Sequence, residues 1–350
     1  MASTEQWRSV TENLLARRMP TSATRRELPV VLDVAMGSEN VGDAIIMDYC
    51  GSILASIFGD EPLVHVATHA PSPELEELEG QLKILCGTNI VYTHMAYQGQ
   101  WALPQNMASM RDVCLLGVGL SDRGISDEMD LYSRALFRAL LAPDLYHSVR
   151  DSDTCAKLRA AGFDNVINTA CPTMWRLTPE HLSQIPAKKG KAVLTSITDY
   201  ALNSAQDREM IRILEQEYEE LYIWVQGSMD VEWGLSSMLD LDRYQVVGPA
   251  LADLDALLDR PDVDYVGTRL HAGIRALNHG RRSLIVVVDN RARSIARDTG
   301  LPVIERDEVT TGALEQWVNH PQATELQLPW ETIQLWKEQF RGHVADATRA

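Results

Sequence analysis

Short runs of branched apolar residues alternate along this chain with longer segments whose apolar positions recur every three or four residues. The first pattern predicts strands buried on both faces of a parallel sheet, and the second predicts helices. In the first half, strands are expected over residues 28–36, 63–67, 112–120, 145–150 and 166–169; residues 84–92 are ambiguous because Gly87 interrupts them. Helices are expected between them: one of about four turns following the glycine-bracketed turn at Gly37 and Gly42, an acidic one over 73–82, and others over 127–141 and 151–162, the last stopped by Gly162. The second half repeats the alternation, with strands over 192–197, 221–226, 244–247, 264–267, 283–288 and 302–304 and helices over 206–218, 252–258, 292–299 and 311–318. Two further helices are expected at the ends. One is a short amphipathic helix near the start, with Arg17 and Arg18 close to its end. The other is a tail over 329–344 that carries Trp330, Trp336 and Phe340.

Such alternation builds an α/β fold with mainly parallel sheets. At 350 residues the chain exceeds what one core serves. The segment 178–191 (TPEHLSQIPAKKGK), with two prolines, a glycine and three lysines, reads as the linker. The expected domains are therefore 28–177 and 192–328, with a helical tail over 329–350 packing back on the body.

The 32 basic and 49 acidic residues give a net charge of −17, which argues against a nucleic-acid or anionic-membrane partner. No uninterrupted apolar run reaches the roughly 20 residues that span a bilayer, so no transmembrane segment is expected. The five cysteines lie far apart without a C-x-x-C pair; this gives no zinc or disulfide framework and fits a reducing cytoplasm. Self-association is left open.

Residues 264–291 concentrate the candidate chemistry. A strand ends at Gly267, the turn carries Thr268, Arg269, Leu270 and His271, a helix runs to a stop at Gly280, and a second strand leads to Arg291. In a strand–helix–strand unit, strand ends and helix starts share one sheet edge, where ligands of open α/β sheets bind and helix dipoles favour anions. Arg269, His271 and Arg291 would then converge on a small anion; taken singly, the arginines read more readily as solvated strand ends and the histidine as a helix-start hydrogen bonder, and it is their joint placement that favours the anion. Arg150 repeats the arrangement at the end of 145–150. Near the start, Gly37 and Gly42 have Walker A spacing, but Asp43 and Ala44 replace the lysine and hydroxyl residue of that loop. Asp43 reads as a helix cap or as a functional acid.

Taken in order, Asn40-x-Gly42-Asp43, the G-x-G of Gly117 and Gly119, V-R-D at Val149–Asp151, T-R-L-H-A-x-I from Thr268, and V-V-x-D-x-R ending at Arg291 resemble the polysaccharide pyruvyl transferase family. The resemblance implies two Rossmann-like domains in a GT-B-like arrangement with the active site in the cleft between them. It implies phosphoenolpyruvate as donor, a sugar-containing acceptor, and a pyruvate ketal and phosphate as products, with no cofactor or metal required. It places Arg150, Arg269, Leu270 (through its backbone), His271 and Arg291 on the donor. Asn40, Gly42, Asp43 and Glu39 fall on the acceptor side. Arg291 stands where relatives commonly have lysine, Cys171 where they tend to have aspartate, and GVGLSD up to Asp122 is poorer in glycine than the family's usual loop. The donor's phosphate and carboxylate suit arginines. A histidine suits proton transfer near neutral pH, which makes His271 the candidate acid, with Asp43 or Glu39 as candidate base. The alternative is a GT-B glycosyltransferase or sugar-nucleotide epimerase, with Glu305 or Asp307 gripping a ribose.

Overall fold

A computed structural model describes residues 4–16, 28–97, 100–121, 126, 128–198, 201–226 and 239–341. Arg17, Arg18, Asp122, Asp127 and the end of the tail beyond residue 341 lie outside the described residues. The chain divides into two compact units, residues 1–38, 46–172 and 329–350 in the first and 39–45 and 173–328 in the second.

The first unit contains strands β1 (Val30–Asp33), β2 (His65–Ala67), β3 (Lys83–Cys86) and β4 (Val113–Leu116) in the order β2-β1-β3-β4, all parallel. A parallel pair, β5 (His147–Val149) and β6 (Val166–Asn168), adjoins β4 through the Val118–Val149 bridge and a Gly117 N–H to Ser148 carbonyl bond of 3.0 Å. β1, β3 and β4 are buried at every position, including the charged residues Asp33 at the end of β1 and Lys83 at the start of β3. Its helices are α1 (Thr4–Ala16), α2 (Val41–Phe58, with its first five residues counted in the second unit), α3 (Leu131–Leu140) and α4 (Ser152–Ala160). Helix α3 begins later than expected because Asp130 caps it, accepting from Ser133 N–H at 2.7 Å. The helix expected over 73–82 is a single 3-10 stretch, Pro73–Leu78. Ser72 offers it no side-chain cap, and Gly80 turns the chain at φ 82°. Helix α2 is long and apolar enough to cross a membrane by length and composition, but half of it is buried inside the protein, as in a core helix.

The second unit is a six-stranded, all-parallel sheet. Its strands are β7 (Ala192–Thr195), β8 (Glu220–Trp224), β9 (Gln245–Val247), β10 (Val263–Gly267), β11 (Ser283–Val287) and β12 (Val303–Glu305), in the order β12-β11-β10-β7-β8-β9. It carries α5 (Pro179–Leu182), α6 (Ser204–Glu217), α7 (Leu251–Leu258), α8 (Leu270–Asn278), α9 (Asn290–Thr299) and α10 (Ala313–Asn319). Asp264, a carboxylate inside the buried strand β10, accepts from the Tyr218 hydroxyl (2.8 Å), Arg282 Nη1 (3.2 Å) and Gly190 N–H (3.2 Å). The parallel α/β architecture in two units is the one the alternation predicts.

Two bounds differ from those expected. The division falls at 172/173, because residues 178–191 are not a loose linker. His181 Nε2 lies 2.8 Å from the Leu277 carbonyl, Lys189 Nζ donates to the Glu217 carbonyl at 2.8 Å, and Gln322 N–H donates to the Ala187 carbonyl at 3.0 Å. The tail is not a separate element: α11 (Trp330–Glu338) belongs to the first unit, where Trp336 Nε1 donates to the Leu115 carbonyl at 3.0 Å.

Candidate active site

Strand β10 ends at Gly267 because nothing larger fits there. A Cβ would lie 2.7 Å from the Ser196 carbonyl oxygen and 2.8 Å from the Tyr265 hydroxyl. The following turn is held by buried hydroxyls. Tyr265 donates to the Arg269 carbonyl (2.8 Å) and pairs with Ser196 Oγ (2.7 Å); Thr268 Oγ1 accepts from Thr198 N–H (2.7 Å) and donates to the Ser196 carbonyl (3.3 Å). Burial pushes the Tyr265 phenol up, so it stays a donor. Arg269 is thereby fixed as the N-cap of α8, with Leu270 and His271 as its first two residues. Arg269 and His271 are 6% and 8% exposed. No side chain of the cap residue bonds this helix end, which leaves a positive dipole terminus flanked by a guanidinium and an imidazole.

The neighbouring helix start is different. Asp289 caps α9, accepting from Arg291 N–H at 3.0 Å, and its other oxygen takes Arg291 Nε at 2.8 Å and also Nη2. The helix expected to begin at 292 begins at Asn290, so Arg291 lies inside its first turn with its charge offset by Asp289. Of the two helix N-termini after adjacent strands β10 and β11, one is capped by an aspartate side chain, and at the other the cap residue Arg269 makes no side-chain cap bond.

Residues 39–45 fold with the second unit and not with the first, where the expected bounds 28–177 place the acceptor side, because the Asn40 turn bonds to Gln226. Asn40 Oδ1 accepts from Gly42 N–H (3.1 Å) and Gln226 Nε2 (2.7 Å), and Val41 N–H donates to the Gln226 carbonyl (3.2 Å). A Cβ at Gly42 would sit 2.7 Å from Gln226 Nε2 and would push that amide off Asn40. Gln226 follows β8, and β8 is separated from β10 only by β7. The C-terminal edge of one sheet therefore carries Arg291 after β11, Arg269, Leu270 and His271 after β10, and Asn40, Gly42 and Asp43 against the end of β8. Strand spacing puts the last two groups roughly 10 Å apart. Asp43 sits in the first turn of α2, its N–H bonded to the Asn40 carbonyl at 2.9 Å, and Glu39 is exposed.

Arg150 belongs to the first unit, at the end of β5. It is 2% exposed, donates to Asn89 Oδ1, and has its Nε 3.6 Å from Asp151, which caps α4. Gly119 exists to admit it: a Cβ at 119 would run into the guanidinium. The other glycine of the G-x-G pair, Gly117, takes φ 69° and lies under Pro172. The pair thus serves packing at these positions. Cys171 is buried at 3% exposure. Among the acids of the alternative reading, Glu305 is held by Arg293 at 2.7 Å in a capping box at the following 3-10 turn, which keeps its carboxyl below the usual range. Among the described residues no group of three His, Cys, Asp or Glu could hold a metal ion.

A family model for polysaccharide pyruvyl transferase matches residues 40–290. The chain belongs to that family. The match begins at Asn40 and ends one residue before Arg291, so it takes in the whole edge except that arginine. Being a family member, the protein is a transferase with a sugar-containing acceptor. No curated protein matches. Among solved structures, the wall teichoic acid polymerase TagF is 12% identical with TM-score 0.40 over 99% of this chain and 95% of that one. LpCGTa in complex with UDP is 14% identical with TM-score 0.43 over 92% and 97%. With both TM-scores under 0.5, neither likeness bears on the activity of this pyruvyl transferase family member.

Sequence reasoning did not single out Asp289, Gln226, Tyr265 or Asn89. Asp289 is visible in V-V-x-D-x-R as a cap-type residue beside an arginine; Gln226 and Asn89 act across long sequence separations, and Tyr265 joins a partner four residues on to one 69 residues back, so none of the three leaves a local signal.

Proposed function

We propose that the protein transfers the pyruvate unit of phosphoenolpyruvate onto two hydroxyls of a sugar-containing acceptor. The observation that carries this reading is the α8 N-terminus, uncapped by its own side chain, flanked by Arg269 and His271 on the same sheet edge as the Asn40–Asp43 turn, inside a family match to residues 40–290. Phosphoenolpyruvate brings a phosphate and a carboxylate, and the dipole terminus with Arg269 suits one of them. Arg291 would reach the other only by loosening its pair with Asp289. Arg150 is a fourth donor candidate on family resemblance.

The reaction adds both acceptor oxygens to the donor's central carbon and breaks its bond to the phosphate oxygen. Of the two hydroxyl protons released, one ends on the methylene carbon, making the methyl group, and the other leaves with phosphate. His271 serves as the acid toward the methylene carbon. Asp43 or Glu39, at the β8 end of the edge, takes a proton from the acceptor.

A thermal-shift panel tests this, since a ligand that binds only the folded state raises its apparent stability. Phosphoenolpyruvate is expected to raise the melting temperature, and UDP-, GDP- and CMP-sugars are not. A shift with a nucleotide sugar alone would transfer the assignment to the glycosyltransferase or epimerase reading.

A further inference from the structure

The opposite edge of the second unit's sheet holds a cleft of about 350 Å³, at the N-terminal ends of β7 and β10. Its size is at the lower end of the range for small-molecule sites. Lys188, Lys189, Lys191, Arg281 and Arg282 line it together with two acids, Asp262 and Asp264. In a chain of net charge −17, such a wall of cations is a local reversal of sign.

Structural duties account for part of it. Asp262 is paired with Arg260 (3.3 Å), and Asp264 is fully engaged by Tyr218, Arg282 and Gly190. Lys189 is held by Glu217 at 3.0 Å, and Arg281 Nε caps the Leu258 carbonyl at 2.9 Å. Three donors remain. Lys188 makes no side-chain bond among the described residues, and Lys191 acts on Glu220 only through space. Arg282 is 2% exposed; its terminal nitrogens reach Asp264 and the carbonyls of Trp317, Val318 and His320, yet its Nε–H is buried without an acceptor. Arg282 lines the cleft as a residue and stacks its guanidinium 3.9 Å over the Trp317 ring, so its fixed charge stands behind the two lysines where an oxyanion would sit. The helices end here with their negative poles, so side chains and not dipoles must attract the anion.

We infer that this cleft is a second, separate site for a small multiply charged oxyanion, a phosphate or phosphate ester, held by Lys188, Lys191 and Arg282. Strand β10 spans only five residues, so the cleft lies roughly 13 Å from the α8 terminus on the far side of the sheet. It is independent of the donor reading.

Calorimetric titration with inorganic pyrophosphate tests it. The wild-type protein is expected to bind, more weakly as salt rises. Binding is expected to persist in Arg269→Gln/Arg291→Gln, or in Arg291→Gln alone should the double variant not fold. In Lys188→Glu/Lys191→Glu, whose changed positions are exposed, affinity is expected to fall roughly tenfold or more, the scale of one lost charge-assisted contact, with an unchanged melting curve. No heat with the wild type, affinity unchanged by the lysine substitutions, or binding abolished by the arginine substitutions each overturns the inference.

Discussion

His271 and Arg291 occupy equivalent positions in successive helices, but Asp289 caps the helix of Arg291 and pairs with it, whereas Arg269 is the cap residue before His271. Their substitutions should therefore read out differently. His271→Ala is expected to lower turnover by roughly 10²–10⁴-fold with little change in donor affinity, as for loss of a general acid. Arg291→Ala is expected to weaken phosphoenolpyruvate binding by about 1.5–3 kcal/mol, one charge-assisted contact, and also to leave Asp289 without its partner. Asp289→Asn keeps a capping side chain and releases the arginine, so it should tighten donor binding. Calorimetry on each folded variant checks all three, and unchanged affinity in Arg291→Ala removes that residue from the site. Gly119 makes a sharper structural case. Gly119→Ala drives a methyl group into the buried Arg150 guanidinium and should cost about 1–3 kcal/mol of unfolding free energy, measured by urea denaturation.

At the scale of elements, the T-R-L-H turn was legible because a buried strand, a glycine and a helical period meet in a dozen residues. The pairing of Arg291 with Asp289 was not. A capping aspartate and an arginine two residues on suit a free cation as well as a closed ion pair, and only the folded geometry distinguishes them. Residues 178–191 misled for a related reason. Proline, glycine and lysine describe a linker by composition, but His181, Ala187, Lys189 and Gly190 are held by partners at least 28 positions away. Brief trypsin digestion followed by mass spectrometry should therefore leave the 188–191 bonds intact, and early cleavage there would show the segment to be loose. Strand β3 supplies a pH test. Lys83, fully buried at its start, donates to the carbonyls of Leu78, Gln81 and Arg111, and burial lowers its ammonium to about 8. The folded state then binds its proton less tightly than the unfolded chain does. Stability should rise between about pH 8 and the ordinary lysine range near 10.5, and a Lys83→Met variant should lack that slope in isothermal denaturation.

The units of the whole molecule are not contiguous in sequence: the first takes its final helix from beyond the second. In that helix Trp336 is fully buried, 5.0 Å from Phe340, which lies 5.3 Å from Phe58. Trp336→Ala should cost about 3–5 kcal/mol, seen as a lower urea midpoint, because it both empties core volume and removes the indole N–H from the Leu115 carbonyl. The order of synthesis gives this connectivity a further meaning. When β6 leaves the ribosome the sheet of the first unit is complete in strands but lacks its closing helix, which emerges roughly 160 residues later. At about 5–20 residues per second that interval is on the order of 10–30 s. Throughout it the nascent chain presents Phe58 and the Leu115 edge uncovered, an adhesive surface that a holding chaperone, or slow folding of the first unit, must protect until α11 arrives.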